Sequence, residues 1–159
     1  VPDAPAISLR PVTAEDAGFL LVVYAGTRLE ELALTNWNDE QKAQFCAMQF
    51  QAQDSHYRLH YPGMQQFVIL DGDTAAGRLY VDHWPNEIRV VDIALLPGHR
   101  GRGIGTHLLG GLREQAAAVR KKLSIHVENF NPAKRLYERL GFQRVQDEGV
   151  HQLMEWTPA

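Results

Sequence analysis

A mixed α/β sheet with helices on both faces is the fold class this sequence predicts. Three observations point to it. Three apolar runs follow one another in the middle of the chain, which implies antiparallel pairing. Strand–helix–strand units near the end imply at least one parallel pair. Apolar residues at helical spacing stand on either side of the central run. The order is strand, helix, helix, three strands, helix, strand, helix, strand, strand, and 159 residues suit one domain, 1–159, with a sizeable core.

Ile7 to Val12 alternates as a first strand, and Thr13 offers an N-cap oxygen with Asp16 three places on. Ala14 to Ala25 is the helix that follows, ended near Gly26. Asn38 caps a second, long helix, with Phe45, Met48 and Ala52 on one face, and Pro62-Gly63 stops it. Strands at Gln66–Leu70, Ala75–Val81 and Glu87–Leu96 come next, the first two joined by the turn Asp71-Gly72-Asp73. Pro97 closes the third, since proline has no N–H to give a sheet ladder. Ile104, Leu108, Leu112, Ala116 and Val119 are spaced by four and three, the mark of an amphipathic helix. Leu123–Val127 is a strand. Asn131-Pro132 then opens a helix with proline in its first turn, and Gly141 ends it. Phe142–Val145 and Gln152–Trp156 close the sheet.

Composition narrows the partners. The formal net charge is -3 with no block of like charges, so neither nucleic acid nor an anionic membrane is the expected partner. The lone cysteine, Cys46, rules out an internal disulfide framework and fits a reducing, cytoplasmic setting. Apolar runs fall well short of the roughly 20 residues that span a bilayer. His56 and His60 share a helix face without an evident third ligand, so no metal is expected.

The chemistry concentrates in the segment from Asp92 to Thr106. A strand ends at Pro97, and a loop bearing Gly98, Gly101, Gly103 and Gly105 runs straight into a helix. Glycines allow close backbone approach, and unpaired N–H groups of a first helical turn attract an anion. Arg100 and Arg102 add guanidinium groups suited to phosphate, which makes a pyrophosphate the natural guest. The P-loop lysine is missing before Thr106, and Gly101, Gly103 and Gly105 do not give the dinucleotide spacing Gly-x-Gly-x-x-Gly. What is present is Arg-x-x-Gly-x-Gly, at Arg100, Gly103 and Gly105.

With that loop, and with Asn131-Pro-Ala-Lys-Arg-Leu-Tyr-Glu-Arg-Leu-Gly-Phe142 downstream, the chain resembles the GCN5-related N-acetyltransferase family. The resemblance implies that acetyl-CoA is the donor and that residues 100–106 (Arg100, Gly101, Arg102, Gly103, Ile104, Gly105, Thr106) cradle its pyrophosphate. It implies that backbone N–H groups around Ile93 and Leu95 serve the acetyl oxygen and pantetheine, and that the helix carrying Asn131 and Lys134 lies along the pantetheine arm. The asparagine-to-tyrosine spacing is one residue short of the commonest form, and Asn129 is the substitute for Asn131. Tyr137 would protonate the departing thiolate, a task suited to a phenol with an ordinary pKa near 10.

The base that takes a proton from the amine is assigned to Glu87, with Glu128 and His126 as alternatives. By strict alternation Glu87 shares a face with Arg89, Val91, Ile93 and Leu95, and Asp92 points the other way unless a bulge intervenes. No cysteine lies near either motif, which favours direct attack in a ternary complex over a covalent intermediate. Glu30, Glu31, Asp39 and Glu40 flank Trp37, either as a rim for a cationic amine or as solvated helix ends. The acceptor is a small-molecule or peptide amine, and a homodimer is compatible with such a fold. The rival readings are a non-catalytic acyl-CoA-binding sensor or interaction module and a nucleotide-binding domain.

Overall fold

The computed structural model describes residues 6–129, 131 and 133–159. Seven strands form one sheet: β1 (Ile7–Pro11), β2 (Gln65–Asp71), β3 (Thr74–His83), β4 (Glu87–Leu95), β5 (Lys122–Glu128), β6 (Gln143–Asp147) and β7 (His151–Trp156). Their spatial order is β1-β2-β3-β4-β5-β7-β6. Every neighbouring pair is antiparallel except β4–β5, the parallel pair expected from the strand–helix–strand unit. The helices are α1 (Ala17–Gly26), α2 (Leu29–Ala33), α3 (Asp39–His60), α4 (Ile104–Ala118) and α5 (Lys134–Arg139). None of the described helices is long and apolar enough to cross a membrane.

Local chemistry accounts for most of these boundaries. The Asn38 side chain accepts from the Gln41 N–H at 2.8 Å, and Gln41 Oε1 accepts from the Asn38 N–H at 2.9 Å, a reciprocal cap that starts α3. Asp16 closes the turn after β1 by accepting from the Thr13 N–H at 2.7 Å, and Arg10 grips the same carboxylate with two bonds of 2.8 Å. Gly72 turns β2 into β3 with φ +61°.

α4 packs on one face of the sheet, where its buried Ile104, Leu108, Leu109 and Leu112 meet Leu79, Val90, Ile125 and Met154 in the main core. Leu109 is 1% exposed, and truncating such a leucine to alanine costs about 2–5 kcal/mol. A smaller cluster joins α1, α2 and α3 through Tyr24, Leu32 and Cys46.

Three sequence expectations need correction. A short helix, α2, stands where a connection was expected, because Leu32 finds a buried place against Tyr24 and Cys46. Met48 of α3 is exposed, and the helix turns Cys46 inward instead; the apolar repeat Phe45–Met48–Ala52 misjudged its inner face, which is largely polar and aromatic. Val119 lies just past α4 and is exposed. The last helix begins at Lys134, and the proline expected in its first turn, Pro132, lies outside the described residues.

Candidate active site

The parallel pair forks. β4 and β5 are in register only from Glu87↔Lys122 to Val90↔Ile125, yet β4 continues to Leu95 and β5 to Glu128. Beyond Val90 the inner edge of β4 has no strand partner among the described residues. The Leu96 N–H donates to Ala76 O at 2.8 Å, so alternation points the Ala94 and Asp92 N–H groups to β3 and those of Ile93 and Leu95 into the fork. Arg100 Nε donates to Leu95 O at 3.1 Å, which places that residue's polar groups on the fork side. The fork lies at the carboxyl ends of parallel strands, where α/β sheets characteristically receive ligands.

The glycine loop closes one end of the fork. Gly101 and Gly103 take φ +72° and +83°, a region closed to most side chains, and a Cβ at either would project away from all protein atoms. Gly103 is also the N-cap of α4 and supplies no side-chain acceptor. The ladder of α4 begins with the His107 N–H donating to Gly103 O at 3.0 Å, which leaves Ile104, Gly105 and Thr106 with first-turn N–H groups directed outward. A Cβ on Gly105 would press to 3.3 Å from Leu136, so α4 and α5 approach closely there.

The two arginines of the loop differ. Arg100 donates to Gly26 O as well as Leu95 O, each at 3.1 Å, and so ties the end of α1 to the end of β4. Its expected role on phosphate is thereby weakened, because backbone carbonyls already hold the guanidinium. Arg102 is 57% exposed and rests 3.4 Å from Asp71, an open pairing in water worth at most about 1 kcal/mol. It is the more exposed cation of the pair.

α5 follows β5 and packs into the main core through Leu136, Tyr137 and Leu140. The Tyr137 ring is 4% exposed and packs with Phe142 at 6.0 Å between centroids, so it is a core aromatic. Its hydroxyl has no hydrogen-bond partner among the described residues, and burial, with the Asp92 carboxylate adding, raises its pKa above the ordinary value. The hydroxyl is therefore a proton donor at neutral pH.

Asn131 Oδ1 accepts from the Ala133 N–H at 2.9 Å and is committed to starting α5. Asn129 Oδ1 is buried without a partner among the described residues, as is Gln152 Oε1 on the β7 residue paired with Val127. Of the two asparagines, Asn129 thus has the free acceptor. Lys134 opens α5 with no carboxylate partner among the described residues.

Glu87 sits among charged and hydroxyl partners at the start of β4. It accepts a short hydrogen bond from Ser124 Oγ and lies 3.6 Å from Arg89 and 4.0 Å from Lys122, at the fully paired end of β4. It is engaged by these groups four residues before Val91, where the fork opens. His126 fares little better: its Nδ1 is 3.3 Å from Arg89 Nη1 and its Nε2 is 3.3 Å from Glu148. Burial and then Arg89 lower its pKa, so the ring is a neutral acceptor already engaged by a guanidinium. Glu128 lies 3.7 Å from Arg28, across from the end of α1.

Asp92 escaped the sequence reading. Tyr80 pairs with Asp92 but Val81 pairs with Val90, so Val91 is a bulge and alternation restarts one residue late. Asp92 therefore shares the α3 face with Arg89 instead of opposing it. Arg78 holds its carboxylate at 2.8 and 3.3 Å and the Tyr57 hydroxyl donates to it at 2.8 Å. The only available hint was its position beside Ile93. Among the described residues no three His, Cys, Asp or Glu side chains gather as a metal site, and His60 stacks on His56 at 4.1 Å.

The seven-stranded mixed sheet, forked at its parallel pair and followed by a glycine loop that opens α4, is the class of fold that the comparisons identify. The family model described as "Acetyltransferase (GNAT) family" matches residues 28–142. The chain belongs to that family, whose donor is acetyl-CoA. It is 34% identical over 104 residues to a streptothricin acetyltransferase of Streptomyces lavendulae, a match covering 55% of this chain and 53% of that protein. It is 42% identical over 60 residues to a mycothiol acetyltransferase of Frankia casuarinae, covering 37% of this chain and 17% of the relative. The matches thus span about half or less of these relatives. In fold it is similar to the PaiA N-acetyltransferase of Thermoplasma acidophilum in complex with coenzyme A, with a TM-score of 0.71 at 16% identity over 96% of this chain and 99% of that one.

Proposed function

We propose that this chain transfers an acetyl group from acetyl-CoA to the primary amine of a small molecule, by direct attack in a ternary complex with Tyr137 as general acid. One observation carries the reading: β4 runs on past its pairing with β5, so that by alternation the Ile93 and Leu95 N–H groups face away from β3 with no strand opposite them among the described residues.

The residues fit the donor. Left-handed Gly101 and Gly103 leave the backbone open to a pyrophosphate, the first-turn N–H groups of α4 and Arg102 supply positive potential, and the orphaned oxygens of Asn129 and Gln152 can accept from amide N–H groups. Bound there, acetyl-CoA supplies an activated thioester. The N–H of Ile93 or Leu95 donates to the carbonyl oxygen as charge grows on it, and such donors typically contribute about 10²–10³ in rate. Tyr137 gives its proton to the sulfur. Cys46 has no part: it lies in the α1–α3 cluster, and burial raises its thiol pKa away from nucleophilic use. The names of the streptothricin and mycothiol acetyltransferases support a small-molecule acceptor.

The test is release of free CoA over a panel of amines, run beside calorimetric binding of acetyl-CoA. Tyr137→Phe is expected to lower turnover about 10²-fold with donor affinity intact. Unchanged turnover removes Tyr137 from the role; binding without turnover on any amine supports the sensor reading instead.

A further inference from the structure

We propose that Asp71 is a positioning residue of the donor site: it holds Arg102 beside the glycine loop, yields that guanidinium to a phosphate of the donor, and turns to the buried Nδ1 of His99 instead. The inference rests on the placement of the donor pyrophosphate at residues 100–106 and adds a group that governs its affinity.

Asp71 is the fixed member of this group. It ends β2, pairs with Ile7 of β1 and Thr74 of β3, and the neighbouring Gly72 N–H donates to Ala6 O at 2.8 Å. Its side chain is 18% exposed. One oxygen, Oδ2, faces two groups from the segment that leads into α4: Arg102 Nη1 at 3.4 Å and His99 Nδ1 at 3.6 Å. These two differ. Arg102 is 57% exposed, and its backbone immediately precedes Gly103, the N-cap of α4. His99 Nδ1 is buried with no hydrogen-bond partner among the described residues. At 3.6 Å it stands just outside hydrogen-bond reach of the oxygen that Arg102 engages. A negative charge is thus set against a loop suited to phosphate, with an unbonded ring nitrogen beside it.

An exchange of partners accounts for both features. An ion pair this open to water is weak, so the guanidinium leaves it easily. A phosphate offers Arg102 a stronger contact, charge-assisted and bidentate. A carboxylate as enclosed as Asp71 is costly to leave unpaired, however. A shift of about half an ångström brings His99, as its Nδ1–H tautomer, within range to donate to Oδ2, and both unpaired groups are then satisfied. The loop backbone need not move, because Arg100 stays anchored on Gly26 O and Leu95 O. The gain lies at the end of the cycle. CoA departs with the same phosphates that brought the acetyl group in, so a competitor for Arg102 limits the affinity of the product and speeds its release.

Binding of CoA reads the exchange directly. By calorimetry Asp71→Asn is expected to bind CoA about fivefold tighter than the wild type, with dissociation slowed by a similar factor in stopped flow. A carboxylate that merely braced the loop would give the opposite sign, so weaker or unchanged binding overturns the proposal. Asp71→Ser is made alongside, and the sign is read from whichever variant melts cooperatively. In an Arg102→Gln background the same substitution is expected to change CoA affinity by less than about twofold. An undiminished effect there would mean that Asp71 repels the phosphates by itself, and it removes Arg102 from the exchange. His99 is followed by nitrogen-15 NMR: its Nδ1 resonance is expected to shift on addition of CoA to the wild type and not on addition of pantetheine, which has no phosphate. A resonance that ignores CoA, or moves equally with pantetheine, overturns the part given to His99. Failure of the wild type to bind CoA at all overturns the donor-site reading itself.

Discussion

The two halves of β4 make an instructive pair. From Glu87 to Val90 the strand is bonded on both sides, and its polar side chains are consumed locally: Glu87 by Ser124, and Arg89 by Ser124 at 2.8 Å and Tyr61 at 3.3 Å, with Trp84 beneath the guanidinium at 4.8 Å. From Val91 to Leu95 the strand has β3 on one side and, among the described residues, nothing in register on the other. The proposed reaction lies where sheet bonding stops, and Glu87 and Arg89 lie in the half that is paired on both sides. Backbone groups freed by a fork are already oriented and cost no reorganisation in the reaction.

Proline separates the two edges of the second half. Ala94→Pro deletes a β3 ladder bond in a central strand and is expected to cost about 3 kcal/mol or more, seen as loss of the folded state in thermal melts. Ile93→Pro deletes an N–H that faces the fork, and is expected to keep a cooperative melt while turnover falls about 10²–10³-fold. Equal damage from both would mean that the fork closes in solution.

Gly103→Ala probes the end of the fork. Its φ of +83° costs an alanine about 1–2 kcal/mol, and acetyl-CoA affinity is expected to fall about tenfold as the α4 N-terminus shifts. Glu87→Gln belongs to the quiet half of β4. Turnover is expected to stay within about threefold while stability drops by about 1 kcal/mol; a hundredfold loss would restore Glu87 as the base.

The smallest effect is in pH. His126 has a folded pKa below its ordinary 6.5, so just below that value the unfolded chain binds more protons than the folded one. This contribution to stability is full above pH 6.5 and is lost as pH falls through the folded value. Replacing His126 with Gln should flatten that part of a melting-temperature profile, and a steeper profile would contradict the lowered value.

Much of the architecture was legible in the sequence, because it depends on chemistry between near neighbours. The Asn38–Gln41 cap, the Gly72 turn, the α4 stripe and the left-handed glycines at 101 and 103 are fixed within a few residues by backbone sterics and hydrogen-bond reach. The element order, and the glycine loop placed before an amphipathic helix, follow from those signals. Alternation and spacing could not supply what depends on partners 14 to 74 positions away. One added residue at Val91 exchanged the faces of Asp92 and its neighbours. Arg78 and Tyr57 had to arrive from β3 and α3 to hold that carboxylate, and Gly26 had to arrive to occupy Arg100. A side chain's charge is written in the sequence, but whether it is free to act depends on which distant groups fold against it.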